Sequence, residues 1–139
     1  MTAKDKIHDA VRNALVKDGW IITHDPLTIR YKGARVFVDL GAEQIIGAER
    51  KDEKIAVKIK SFVGPSVMQD LEGAVGQYVI YLSFLEQVEP ERKLYLAISH
   101  PLSISAFQNE AVQMLVRRNH IALVVVDVVS EEVVQWMPI

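Results

Sequence analysis

An aspartate and two lysines, Asp39, Lys58 and Lys60, stand within an alternating apolar and polar stretch from 35 to 62. Metal-dependent hydrolysis of a phosphodiester needs hard oxygen ligands and a positive group that orients the attacking water. Because residues two apart on a strand share a face, a carboxylate two positions before a lysine suits this chemistry. Lys58 occupies that carboxylate position. The stretch therefore predicts nuclease-like geometry with an altered charge.

Lys58 would change the electrostatics of any metal site at this position. An ammonium group in place of a carboxylate removes one ligand and adds a cation beside the ion. At ~4 Å and an effective dielectric near 20, each pair of unit charges interacts by about 4 kcal/mol, and a divalent ion feels about twice that. We therefore expect Mg²⁺ or Mn²⁺ to bind weakly or not at all, unless Glu43, Glu49 or Glu53 supplies the missing carboxylate.

Two simpler interpretations of the same residues stay open. Asp39 and Lys60 could form a salt bridge between strands, and the charged run from 49 to 60 could be a solvated face. As a phosphate-binding stripe, the run offers Lys54, Lys58 and Lys60 as candidate nucleic-acid contacts. The net charge of −2 disfavours nucleic-acid binding by bulk electrostatics, so such contacts would have to be local.

The elements that would position these residues alternate between strands and helices. Helices are predicted over 3–18, over 67–87 behind a capping box formed by Ser66 and Gln69, and as one or two helices within 101–119. A short apolar stretch at 20–30 is broken at Asp25-Pro26. Strands are predicted at 34–40, 43–49, 55–62, 93–99, 121–128 and 131–137. The order α-β-β-β-α-β-α-β-β predicts a single α/β domain over 1–139, with a central mixed sheet flanked by helices.

Composition excludes several classes of site. The 139 residues fit one domain, and the absence of cysteine excludes disulfides, thiolate zinc sites and cysteine nucleophiles. The four histidines have no metal-ligand spacing and are interpreted as surface or structural residues. No signal sequence and no apolar run near the ~20 residues of a membrane span are found, so we expect a soluble cytoplasmic protein.

Gln77 and Tyr81 lie four residues apart on the predicted 67–87 helix and so share one face. This pair is similar to the Q-x-x-x-Y signature of RecB-type nucleases. The element order around Asp39 and Lys60 resembles the restriction-endonuclease-like fold with its PD-(D/E)xK core. Over residues 10–98 the chain resembles the cyanobacterial XisH-type proteins, the fdxN-element excision controlling factors. The matching stretches are "AVRNALVKDGWIITHDPL", "VDLGAE", "IAVKIKSFVGPS", "DLEGAVGQY" and "ERKLYLAI".

The resemblance implies a set of site residues, with catalytic positions at Asp39, Lys60, Gln77 and Tyr81, and with Lys58 at the usual glutamate position. It implies Asp39 as a metal ligand and Asp9, on the first helix, as an additional acidic ligand. It also implies a role in excision of a DNA element by a site-specific recombinase, together with a companion protein, XisI.

Three functions follow from these observations. The first is an accessory factor for excision that binds DNA or a recombination partner without cutting. The second is an active Mg²⁺-dependent endonuclease with a relocated carboxylate. The third is a protein-interaction module that holds an XisI-like companion and does not contact nucleic acid. The question of enzyme activity stays open, and Lys58 weighs against it. The apolar residues of "VVQWM" suggest an edge-strand contact, for which a homodimer is one solution.

Overall fold

A six-stranded mixed sheet forms the centre of the molecule, and helices cover both of its faces. The computed structural model describes residues 3–36 and 45–138. Its elements are α1 (Ala3–Lys17), β1 (Ile21–His24), β2 (Ile29–Tyr31), β3 (Ala34–Val36), β4 (Ile45–Arg50), β5 (Glu53–Ile59), α2 (Val67–Val88), β6 (Arg92–Ser99), α3 (His100–Ser103), a 3-10 helix (Ala106–Gln108), α4 (Glu110–Arg118), β7 (Leu123–Asp127) and β8 (Glu132–Met137).

The strand order in the main sheet is β1-β4-β5-β6-β7-β8. The pairs β5–β6 and β6–β7 are parallel, and the outer pairs are antiparallel. Each parallel connection carries helix, α2 in the first and α3 with α4 in the second, as parallel strands require. The prediction of a single α/β domain with a mixed sheet is thus confirmed.

Strand β5 shows how the sequence builds a sheet that is buried on both faces. Ile55, Val57 and Ile59 pack with α1, whereas Ala56 packs with α2 on the other face. Residues 55–59 are all buried, as expected for a central strand whose two faces are covered. The predicted alternation of faces along this strand is correct.

The region before β4 differs from the prediction. Residues 20–30 give two strands, β1 and β2, and the described part of the predicted 34–40 strand is β3. Strand β3 pairs with β2 in a separate hairpin, and the described partners of β4 are β1 and β5, not β3. The cause lies in the turn, because Lys32 and Gly33 both have positive φ angles, 47° and 81°. Such a pair makes the tight primed turn that closes a two-residue hairpin.

The helices begin and end where their caps allow. The Ser66 hydroxyl accepts a hydrogen bond from the Gln69 N–H at 3.2 Å, which confirms the predicted start of α2. The region predicted as one or two helices within 101–119 contains three short pieces, α3, the 3-10 helix and α4. Asn109 ends the 3-10 helix and caps α4 by accepting from the N–H groups of Ala111 and Val112, which explains the division. Within the described ranges, no helix is long and apolar enough to cross a membrane.

Candidate functional site

Lys58 lies at the centre of the sheet with no exposed surface. Its register partners are Ile45 on β4 and Leu96 on β6, and its ammonium nitrogen lies 5.8 Å from the ring centroid of Tyr81 on α2. The expectation of a solvated charged face is therefore wrong for Lys58. The reason is that α2 covers this face of β5, which the local charge pattern does not reveal. Burying an ammonium group costs free energy unless polar or charged partners compensate it. The fold must therefore compensate the charge of Lys58.

Of the two α2 residues in the predicted signature, Tyr81 lies near this lysine. Tyr81 is 4% exposed, and Gln77 is half-buried one turn earlier on the same helix. The Gln77 Oε1 atom is buried and has no hydrogen-bond partner in the part of the chain that the structure describes. An unsatisfied buried amide oxygen costs roughly 1–3 kcal/mol. This face of α2 therefore carries a buried acceptor without a partner one turn before the tyrosine that contacts Lys58.

Lys60 follows at the carboxyl end of β5, on the face that Lys58 also occupies, and is half-buried. The carboxyl ends of the parallel strands β5, β6 and β7 meet at this edge of the sheet. Ligands of α/β proteins bind at such edges. The structure thus brings Lys58 and Tyr81 into proximity, with Gln77 and Lys60 adjacent to them along their own elements. Asp39, the predicted acidic partner of Lys60, lies outside the described residues.

The register of β4 and β5 decides whether a nearby glutamate can replace the missing carboxylate. Glu49 pairs with Lys54, and Glu53 begins β5. At ~3.3 Å per residue, these positions lie about 13 and 16 Å along the strands from Lys58. Neither Glu49 nor Glu53 can therefore provide a ligand beside Lys58. Glu43 lies outside the described residues.

Lys54 is separated from the other two lysines by the same geometry. Its ammonium nitrogen is 4.0 Å from the Glu49 carboxylate, and its side chain is 43% exposed. Lys58 is buried between Lys54 and Lys60 along the strand, so the three lysines do not form a continuous exposed stripe. Their proposed nucleic-acid contacts stay predictions.

The donor set that the structure describes does not fit a divalent metal. Within the described ranges, no three histidine, aspartate or glutamate side chains form a group that could hold an ion. Asp9 is exposed on α1, and a buried lysine occupies the carboxylate position. No step through a metal ion is therefore assigned to these residues. The metal roles of Asp9 and Asp39 stay predictions.

A partly buried polar cluster that the sequence interpretation missed lies where β1 ends. The Asp25 Oδ2 atom accepts from Arg12 and lies 3.1 Å from the His8 Nε2 atom. The Asp25 side chain is 14% exposed, and its Oδ1 atom is buried without a hydrogen-bond partner in the described structure. The sequence signal was the spacing of His8 and Arg12, four residues apart on one helix face. Sequence alone could not connect that face to Asp25, which was interpreted as a turn residue.

The cluster belongs to the same end of the sheet as Lys58. Strand β1 pairs with β4 through His24 and Gly47, and β4 pairs with β5 through Ile45 and Lys58. Asp25, one residue beyond His24, therefore leaves the sheet on the side where β5 ends. His8 and Asp25 are structural partners here, since the described contacts of Asp25 all join α1 to the loop after β1.

At the end of β7, Asp127 performs a turn role. Its carboxylate accepts hydrogen bonds from the N–H groups of Ser130 and Val129, at 3.1 and 2.9 Å. These bonds, the one from Ser130 first, hold the pKa of Asp127 below its usual value. The residue closes the β7–β8 turn, so this carboxylate is already engaged.

Comparison with known proteins gives a consistent family relationship. The XisH protein family model matches residues 1–134. The crystal structure of an XisH family protein from Nostoc punctiforme PCC 73102 is 37% identical, with a TM-score of 0.89 over 96% of this chain and 99% of that one. A structure of an fdxN element excision controlling factor protein from Anabaena variabilis is 38% identical, with a TM-score of 0.88 over 96% of this chain and 98% of that one. Among curated proteins, no significant match was found. Family model and structures agree over nearly the whole chain, and the protein belongs to the XisH family.

Proposed function

We propose that this protein is an accessory factor for the excision of a DNA element, built on a nuclease-like scaffold that does not cut DNA. The Anabaena variabilis relative is described as an excision controlling factor, which supports the biological role. The proposal includes a scaffold of the restriction-endonuclease-like PD-(D/E)xK type, contact with DNA or a recombination partner, and action in a cyanobacterial cytoplasm, where the chromosome lies.

The observation that best supports the absence of DNA cleavage in this proposal is the burial of Lys58. The residue stands where the resemblance expects a glutamate, it has no exposed surface, and the aromatic ring of Tyr81 lies beside it. A lysine on the surface could swing away from a metal, but a buried lysine is held by its surroundings. The register also removes Glu49 and Glu53 as substitutes. Of the three glutamates considered as replacements, Glu43 is the one that this register leaves open to an active endonuclease.

A cleavage assay with Mg²⁺ or Mn²⁺ tests this proposal directly. We expect no cleavage of plasmid or linear duplex by the natural protein. Lys58→Glu restores the carboxylate-x-lysine spacing and should yield measurable metal-dependent cutting, whereas Lys54→Glu on the same strand should not. Both variants need a circular dichroism check, because a new carboxylate at position 58 is buried.

Cleavage by the natural protein that disappears in Asp39→Ala would contradict the proposal and favour the endonuclease. Absence of cleavage in Lys58→Glu, with the fold intact, would show that Lys58 is not the element that disables the site. The first result would indicate an active site with a relocated carboxylate. The second would indicate a site that lacks catalytic groups besides the carboxylate at position 58.

A protein-interaction role is the second candidate, and the edge strand β8 favours it. Val134 and Met137 on β8 are 48% and 42% exposed. They border a cavity of about 470 Å³ that also contacts α3 and α4. An exposed edge with apolar side chains is a site for strand or helix addition by a partner. The partners implied by the family resemblance are an XisI-like companion and a site-specific recombinase, and the apolar edge itself would also suit a second copy of this chain.

A further inference from the structure

The β2–β3 hairpin lies in a segment of local positive charge. The segment 26–38 contains Arg30, Lys32 and Arg35 and no acidic residue, although the whole protein has a net charge of −2. Strand register places Arg30 opposite Arg35. The segment therefore has a surplus of positive charge that an anionic partner would complement.

The hairpin is fixed on the molecule by its apolar residues. Leu27 and Ile29 are 5% and 2% exposed in the core that α2 shares. The Tyr31 ring makes an edge contact with Phe84 of α2, with centroids 6.4 Å apart. This alternation turns Arg30 outward, because neighbouring strand residues point to opposite faces. The cations are thus presented on an anchored ribbon.

The outward cations have little internal compensation. Arg30 and Lys32 are exposed, and neither forms an ion pair with another residue in the described ranges. The Lys32 ammonium nitrogen lies 5.5 Å from the Tyr31 ring centroid. Its position in the left-handed turn, followed by Gly33, places this charge at the hairpin tip. Arg30 and Lys32 are therefore available to an external anion.

We propose that the β2–β3 hairpin is a contact arm for the phosphate backbone of double-stranded DNA. The inference rests on the proposed function, in which the protein acts at a DNA element. A two-stranded ribbon fits the major groove of B-form DNA, and phosphate contacts by arginine and lysine supply most of the sequence-independent affinity. Local charge complementarity is the argument for this partner, since a chain of net charge −2 cannot attract DNA uniformly.

The test compares Arg30→Gln/Lys32→Gln with the control Lys93→Gln/Arg118→Gln, which removes two exposed cations elsewhere. Binding to a labelled 24-base-pair duplex is titrated from 50 to 200 mM salt. Loss of two phosphate contacts should weaken binding roughly ten- to a hundredfold at 50 mM and reduce the logarithmic salt slope by about 1.8. The control should change neither quantity, and Arg30→Lys/Lys32→Arg should retain the affinity.

The outcomes distinguish this inference from the proposed function. If the natural protein binds duplex and the hairpin variant binds like the control, the arm is overturned while DNA contact stands. If the natural protein binds no duplex at 50 mM salt, both the arm and DNA contact are overturned. Equal binding of polyglutamate would also overturn the arm, because it would show selection of an acidic polypeptide instead of a nucleic acid. Equal melting temperatures confirm that the variants fold.

Discussion

At the scale of single residues, the interface between α2 and the sheet contains a buried polar group, the Tyr78 hydroxyl. Tyr78 is 1% exposed, yet its hydroxyl donates to the Leu94 carbonyl at 3.0 Å and accepts from the Ala122 N–H at 3.1 Å. One side chain of α2 thus joins the beginnings of β6 and β7. This contact links the helix to both strands and satisfies one backbone group at the beginning of each.

Tyr78→Phe should destabilise the protein without changing its shape. The substitution leaves two buried backbone groups without their partner, which costs about 2 kcal/mol. For a chain of this size, we expect a melting temperature about 4–8 °C lower in thermal unfolding. Tyr31→Phe is the control, because the Tyr31 ring keeps its contact with Phe84 and should melt like the natural protein. Equal stability of both variants would remove the bridging role.

The pH dependence of the same substitution has a defined sign. Burial raises the pKa of Tyr78 above its usual value, and the Ala122 hydrogen bond offsets part of this rise. Because the unfolded chain ionises first, near pH 10, the Tyr78 contribution is complete below that pH and declines as pH rises through the folded-state pKa. The difference in unfolding free energy between the natural protein and Tyr78→Phe should therefore shrink above pH ~10.

At the scale of elements, α1 is tied to the loop after β1 by the Asp25 cluster. Asp25→Ala removes the carboxylate that contacts both the His8 imidazole and the Arg12 guanidinium, which should cost roughly 1–3 kcal/mol. Asp9→Ala is the matched control, because Asp9 is exposed beside His8 on the same helix. We expect its effect to stay within about 0.5 kcal/mol. Denaturant unfolding measures both, and equal losses would contradict a specific tie through Asp25.

The elements also show what sequence could and could not predict. The alternation on β5 and the Ser66 cap are local patterns, and both predict the structure correctly. The burial of Lys58 was not predictable in this way, since it depends on α2 crossing a strand that precedes it in the chain. The sequence did not predict the Asp25 cluster for the same reason, because His8 and Asp25 are 17 positions apart in the chain. Contacts across layers are set by packing and leave no periodic signal.

At the scale of the whole molecule, β8 is fastened on one face of the sheet and open on the other. The Trp136 indole N–H donates to the Asp18 carboxylate at 3.1 Å, and its ring contacts Tyr95 with centroids 4.9 Å apart. This fixes β8 to the α1 side. Val134 and Met137 face the cavity on the opposite side. The edge strand is therefore anchored on one face while its other face exposes apolar side chains, and such pre-ordering lowers the entropy that binding of a partner must offset.

If an XisI-like companion binds this edge, Val134→Lys should weaken the complex at least tenfold, because an ammonium group would enter an apolar contact. Val129→Lys is the matched control, since Val129 is 96% exposed in the β7–β8 turn and lies outside the cavity lining. Isothermal titration of both variants with the companion measures the difference, and sedimentation of the protein alone detects a homodimer through the same edge. Unchanged affinity and unchanged mass in Val134→Lys would move the interface away from β8. Loss of self-association with unchanged companion binding would instead assign the edge to a second copy of this chain.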